Sequence, residues 1–96
     1  RYPLSVQARL HAVVHGRVQG VSFRYYTQRR AQELELTGFV RNLWDRTVDV
    51  VAEGPRPVLE ELLSFLQVGP RAAIVSHVDV QWLVPTNEFD RFEVRY

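Results

Sequence analysis

The chain has 96 residues, 46% of them hydrophobic and 11% aromatic, with a formal net charge of +1. That length fits one compact domain and not two, and the apolar content excludes a disordered tail. No apolar run reaches the length of a membrane span, no secretory leader is visible, and the twelve basic residues, all arginine, fall short of the basic excess of a nucleic-acid binder.

Residues 1–7, RYPLSVQ, read as an N-terminal arm, and residues 8–96 as a single domain. ARLHAVVH (8–15) is β-branched and apolar and predicts a strand ending at Gly16. A glycine loop follows. FRYYTQRRAQELE (23–35) then repeats Phe23, Thr27, Ala31 and Leu34 at helical spacing, with Ser22 placed to cap it through its hydroxyl. TGFVRNLW (37–44) and TVDVVAEG (47–54) predict two strands joined tightly through Asp45-Arg46, where glycine would accept a positive φ more easily than Arg46. PRPVLEELLSFLQV (55–68) carries a wide apolar stripe and predicts a helix stopped by Gly69-Pro70. AAIVSHVDVQWLV (72–84) predicts a long strand and FEVRY (92–96) a short last one. The order β-α-β-β-α-β with an extra C-terminal strand predicts an α+β, ferredoxin-like split βαβ sandwich, with two helices on one face of a mainly antiparallel sheet.

HGRVQGVSFRYY (15–26) concentrates the chemistry. Taken alone, its glycines fit either a tight strand-to-helix turn or an anion cradle, in which loop amides, a helix N-terminus and an arginine converge on one ligand. Neither a Walker sequence nor G-x-G-x-x-G is present, so a nucleotide loop is excluded. Position favours the cradle. In a split βαβ the strands 8–15 and 37–44 run parallel, one strand apart, so the glycine loop and Asn42 stand at the same sheet edge with backbones about 10 Å apart, a gap that the Arg24 side chain can span.

GRVQGVSFR (16–24), TGFVRN (37–42), VDVVAEG (48–54), Gly69-Pro70 and the closing FDRFEVRY together resemble the acylphosphatase family over about residues 8–96. The resemblance implies a small ferredoxin-like hydrolase of acyl phosphates with neither metal nor cofactor. It places the family's phosphate-binding arginine on Arg24 and the asparagine that orients the attacking water on Asn42. The phosphate loop falls on Arg17, Val18, Gln19, Gly20, Val21 and Ser22. Three positions depart from the family pattern: Ser22 where small residues or glycine are common, Glu35 for a glycine before the second strand, and Arg46 for the hairpin glycine.

A small-molecule acyl phosphate is the expected substrate, with inorganic phosphate as product and inhibitor. A cytoplasmic monomer is expected, with neither nucleic acid nor membrane as partner. The absence of cysteine removes disulfides, thiol chemistry and thiolate ligands. No methionine occurs, so Arg1 is not expected to be the natural start. His11 and His15, four apart on a strand, are about 13 Å from each other, too far to share an ion. His77 is expected to be a surface or packed residue, Asp49 and Glu53 ordinary sheet-surface charges, and Arg41 to face away from Asn42. Tyr25, Tyr26, Trp44 and Trp82 are expected to pack or to cover the open sheet face. A single-stranded RNA platform is disfavoured, because TVDVVAEG has no aromatic and two acids. The alternative that survives is a phosphate- or phosphometabolite-binding module without turnover.

Overall fold

A computed structural model describes residues 6–96; all but the last two residues of the expected arm lie outside the described residues. The elements are β1 (Gln7–Arg17), α1 (Phe23–Glu33), β2 (Thr37–Asn42), β3 (Val48–Pro55), α2 (Arg56–Val68), β4 (Ile74–Leu83) and β5 (Phe92–Arg95). The five strands form one sheet in the order β4-β1-β3-β2-β5, antiparallel except for the β2–β5 pair. β1 and β2 both oppose β3, so they run parallel to each other with one strand between them, as the sequence predicts.

Period-two alternation decides which face is covered. Leu10, Ala12 and Val14 of β1, Val40 of β2 and Val48, Val50 and Ala52 of β3 point to the helices and are fully buried. α1 meets them with Phe23, Thr27 and Ala31, and α2 with Val58, Leu59, Leu62 and Leu66. Trp82 also packs on this side, under the Arg56 guanidinium, which lies 3.6 Å from its ring centroid. Tyr25 and Tyr26 stand on α1 and Trp44 is exposed, so none of the four aromatics covers the open face.

The three departures from the family pattern share one physical cause. Ser22, Glu35 and Arg46 all adopt positive φ, at 61°, 60° and 75°, the region glycine occupies most easily. Ser22 precedes α1 in the left-handed conformation and makes no side-chain capping bond, which corrects the expected hydroxyl cap. Glu35 closes α1 instead: its amide donates to the Gln32 carbonyl, and the Leu36 amide reaches back to the Ala31 carbonyl, a paired C-terminal stop. The hairpin has three loop residues, Trp44 to Arg46, inside a Leu43 to Thr47 backbone bond, so it is one residue longer than expected.

Asp49 and Glu53 are not surface charges. Both are on the open face but buried, because side chains and the segment after β4 lie over them. Asp49 is held by His11 Nε2 at 2.6 Å and accepts from Arg41 Nε at 3.0 Å. Glu53 accepts from Arg9, from the amide and hydroxyl of Thr86 and from the Asn87 amide. Burial pushes the Glu53 carboxyl up, but the Thr86 and Asn87 amides, the Arg9 guanidinium and the Thr86 hydroxyl together hold it below the ordinary glutamate value.

A carboxylate whose pKa is depressed on folding stabilises the protein above its unfolded pKa and loses that contribution as pH falls through the folded one. Glu53→Gln is therefore expected to cost about 1–3 kcal/mol near neutrality, the usual penalty for mismatched buried partners. The gap from the parent protein should hold from about pH 7 to about pH 5 and narrow as pH falls from there toward about pH 3. Urea unfolding of both proteins across that range measures it, and a constant gap would contradict the assignment.

Candidate active site

The β1–α1 connection is shaped by backbone. Gly16, at φ 128°, lies so close to the Ile74 carbonyl that a Cβ would collide with it. Gly20 has open space around it but a φ of 74°, so conformation is what favours glycine there. Between these turns Val18 is buried and anchors the loop in the core. Gln19 secures the far side: its Nε2 donates to the Leu43 and Thr47 carbonyls, both at 2.8 Å. Leu43 directly follows Asn42, so the loop is bound to the strand end that carries the asparagine.

Among the described residues, the amides of Val18 to Ser22 donate to no backbone or side-chain acceptor. Of this stretch, Val18, Gly20 and Ser22 border a cavity of about 700 Å³ that Arg24 and Asn42 also line, with Arg91, Glu93 and Tyr96 from the C-terminal segment. α1 starts at Phe23 on this wall, adding its free first-turn amides and the positive end of its dipole. Arg24, in that first turn, stacks its guanidinium 4.6 Å from the Tyr96 ring centroid and makes one long bond, 3.4 Å, to the Arg95 carbonyl. It therefore holds most of its donors unspent.

Asn42 projects from the helix-facing side of β2, two residues beyond Val40, while Arg41 points to the other face and pairs with Asp49. Asn42 Oδ1 is one of two buried side-chain polar atoms without a partner among the described residues, the other being Thr27 Oγ1. Buried polar atoms are normally satisfied. An orphaned acceptor in this cavity marks a place where a small polar molecule belongs.

Arg24, Asn42, Val18, Gly20 and Ser22 thus line one cavity, whereas Arg17, Gln19 and Val21 do not line it. Arg91, Glu93 and Tyr96 are the residues that sequence reasoning missed. They reach the cavity because β5 pairs beside β2, and no local pattern in FDRFEVRY announces that neighbour. Glu93 is offset by Arg95 at 3.0 Å and Arg91 at 3.9 Å, so its charge is partly neutralised at the rim. None of the three histidines lines the cavity.

A hollow rimmed by loop residues, with a largely unspent guanidinium and an unpartnered carboxamide oxygen, set on a ferredoxin-like sandwich, defines a small α+β protein with a polar site at one end of its sheet. Comparison narrows that class. The acylphosphatase family model matches residues 10–94. An acylphosphatase of Syntrophotalea carbinolica is 50% identical over 88 residues, covering 92% of this chain and 96% of its own. The crystal structure of acylphosphatase from Bacillus subtilis superposes with a TM-score of 0.89 at 32% identity, over 93% of this chain and 99% of that one. An acylphosphatase structure from Coxiella burnetii gives 0.87 at 39% identity, over 93% of each chain. The chain belongs to the acylphosphatase family.

Proposed function

We propose that the protein hydrolyses acyl phosphates to a carboxylate and inorganic phosphate, with Arg24 and the amides of residues 17–22 holding the phosphoryl group and Asn42 aiming the attacking water. The observation that carries this reading is the pairing of unspent donors on Arg24 and the loop with the unpartnered Asn42 Oδ1 in one cavity.

An acyl phosphate is a mixed anhydride with a good carboxylate leaving group, so hydrolysis needs positioning and charge stabilisation more than covalent help. The guanidinium fork and the amides neutralise the equatorial oxygens as charge spreads in the transition state. Asn42 Oδ1 accepts a hydrogen bond from water and its Nδ2 can donate, which fixes the water in line with the breaking bond. The proton leaves with solvent or the substrate's own oxygens, since Asn42 is no base. Inorganic phosphate fits the same cradle and competes with substrate. We take the working form to be a monomer, in keeping with a domain that closes its own core, and the cytoplasm to be its compartment.

Benzoyl phosphate hydrolysis in excess metal chelator tests the proposal. Turnover should persist, be inhibited by phosphate, and run on a pH plateau without a limb near about 6.5, because arginine stays charged throughout. Phosphate binding without hydrolysis would instead establish a non-catalytic phosphate-binding module, and a limb near that pH would implicate a histidine.

A further inference from the structure

Two histidines and an aspartate that the hydrolysis leaves unused converge on the open face near one edge of the sheet. His15 and His77 are directly opposed in the β1–β4 ladder, beside the register shift between His15 and Gly16. Their rings stack with centroids 4.1 Å apart and planes 11° from parallel. Asp79, two residues further along the same face of β4, bridges them: one carboxylate oxygen is 2.8 Å from His15 Nε2 and the other 3.7 Å from His77 Nε2. One donor atom from each of the three lies within 4.8 Å of the other two.

We propose that His15, His77 and Asp79 form a binding site for a first-row divalent cation, Zn²⁺ in the first instance, separate from the hydrolytic cavity. Donors around a tetrahedral zinc stand roughly 3.3 Å from one another, given metal–ligand distances of about 2.0–2.2 Å. The His15–Asp79 pair at 2.8 Å is already inside that spacing, and within the 4.8 Å limit no pair is open by more than about 1.5 Å. Rotating the exposed His77 ring out of its stack closes that gap, and the antiparallel ladder keeps both Cα positions fixed while it turns.

Two imidazoles with one carboxylate suit Zn²⁺, Ni²⁺ or Cu²⁺, whereas Mg²⁺ and Ca²⁺ prefer all-oxygen shells. Three protein ligands leave a position for water. β4 is an edge strand attached to the sheet through β1 alone, so a cation here fastens the outermost strand to its neighbour. Because the site clears the cavity, its presence or absence leaves the chelator result for hydrolysis untouched.

Untagged protein freed of metal is titrated with zinc chloride by calorimetry, with the histidine ring nitrogens followed by NMR. One ion per chain is expected, with shifts at His15 and His77 and none at His11, and the thermal midpoint should rise with zinc concentration as for any ligand of the folded state. His77→Ala should weaken binding by at least ~10-fold, the lower end of what losing even an outer-shell partner costs, and abolish the thermal gain. His77→Gln serves in its place should the alanine variant unfold. No binding by the parent protein, affinity that survives the His77 substitution, or shifts centred on His11 would overturn the proposal.

Discussion

Arg24→Ala is expected to lower turnover of an acyl phosphate by at least ~10²–10³, the usual loss for one donor aimed at developing charge. The argument rests on what Arg24 does not do. Its guanidinium makes one bond at 3.4 Å and lies over an exposed tyrosine ring, so the folded chain hardly depends on it. Those contacts are weak, and the thermal midpoint should stay close to that of the parent. Both kcat and affinity for inorganic phosphate should fall, because the same fork meets ground-state and transition-state oxygens. Lysine at this position restores charge but not the planar pair of donors, so Arg24→Lys should recover only part of the rate. Near-normal hydrolysis by Arg24→Ala would overturn the assignment.

Asn42→Ala is expected to cost about 10² in kcat, the scale of a misplaced reactant, while phosphate affinity changes by only a few-fold. The contrast with Arg24 is the informative part. Asn42 Oδ1 has no described protein partner, so truncation leaves no new group unpaired, and stability should be unchanged or slightly raised. Asn42→Asp keeps the shape but sets a negative charge facing the phosphoryl group, and should weaken phosphate binding as well. Single-turnover kinetics beside phosphate calorimetry separate these outcomes. Equal losses in rate and phosphate affinity for Asn42→Ala would make it a binding residue and remove its role with water.

The same two residues show how far the sequence can be read. Arg24 and Asn42 come together because β1 and β2 run parallel one strand apart, and that follows from element order alone. The glycine loop was equally legible, since Gly16 and Gly20 both adopt positive φ. Ser22 was misread for a local reason: a serine before a helix normally caps it, and only the loop's demand for a left-handed residue overrides that preference.

Asp49 and Glu53 read as sheet-surface charges, and strand alternation does set them on the face opposite Val48, Val50 and Ala52. Their burial was hidden: that of Glu53 depends on where residues 84–91 fold, a segment with no periodicity of its own, and Asp49 is held by His11 and Arg41 from neighbouring strands. His15 and His77 make the same point across strands. Reading along β1 pairs His15 with a distant His11, whereas the β1–β4 register sets it against His77. Register across a long connection is not written in either strand.

Amide chemical shifts in a titration with inorganic phosphate test the central claim most directly. If the loop and the first turn of α1 hold the dianion, the amides of residues 18–24 and Arg24 Nε move together with a single affinity, and Arg24→Ala diminishes the whole set. Shifts centred instead on Arg71 or Arg91, or none in residues 18–24 at phosphate concentrations that inhibit hydrolysis, would contradict it.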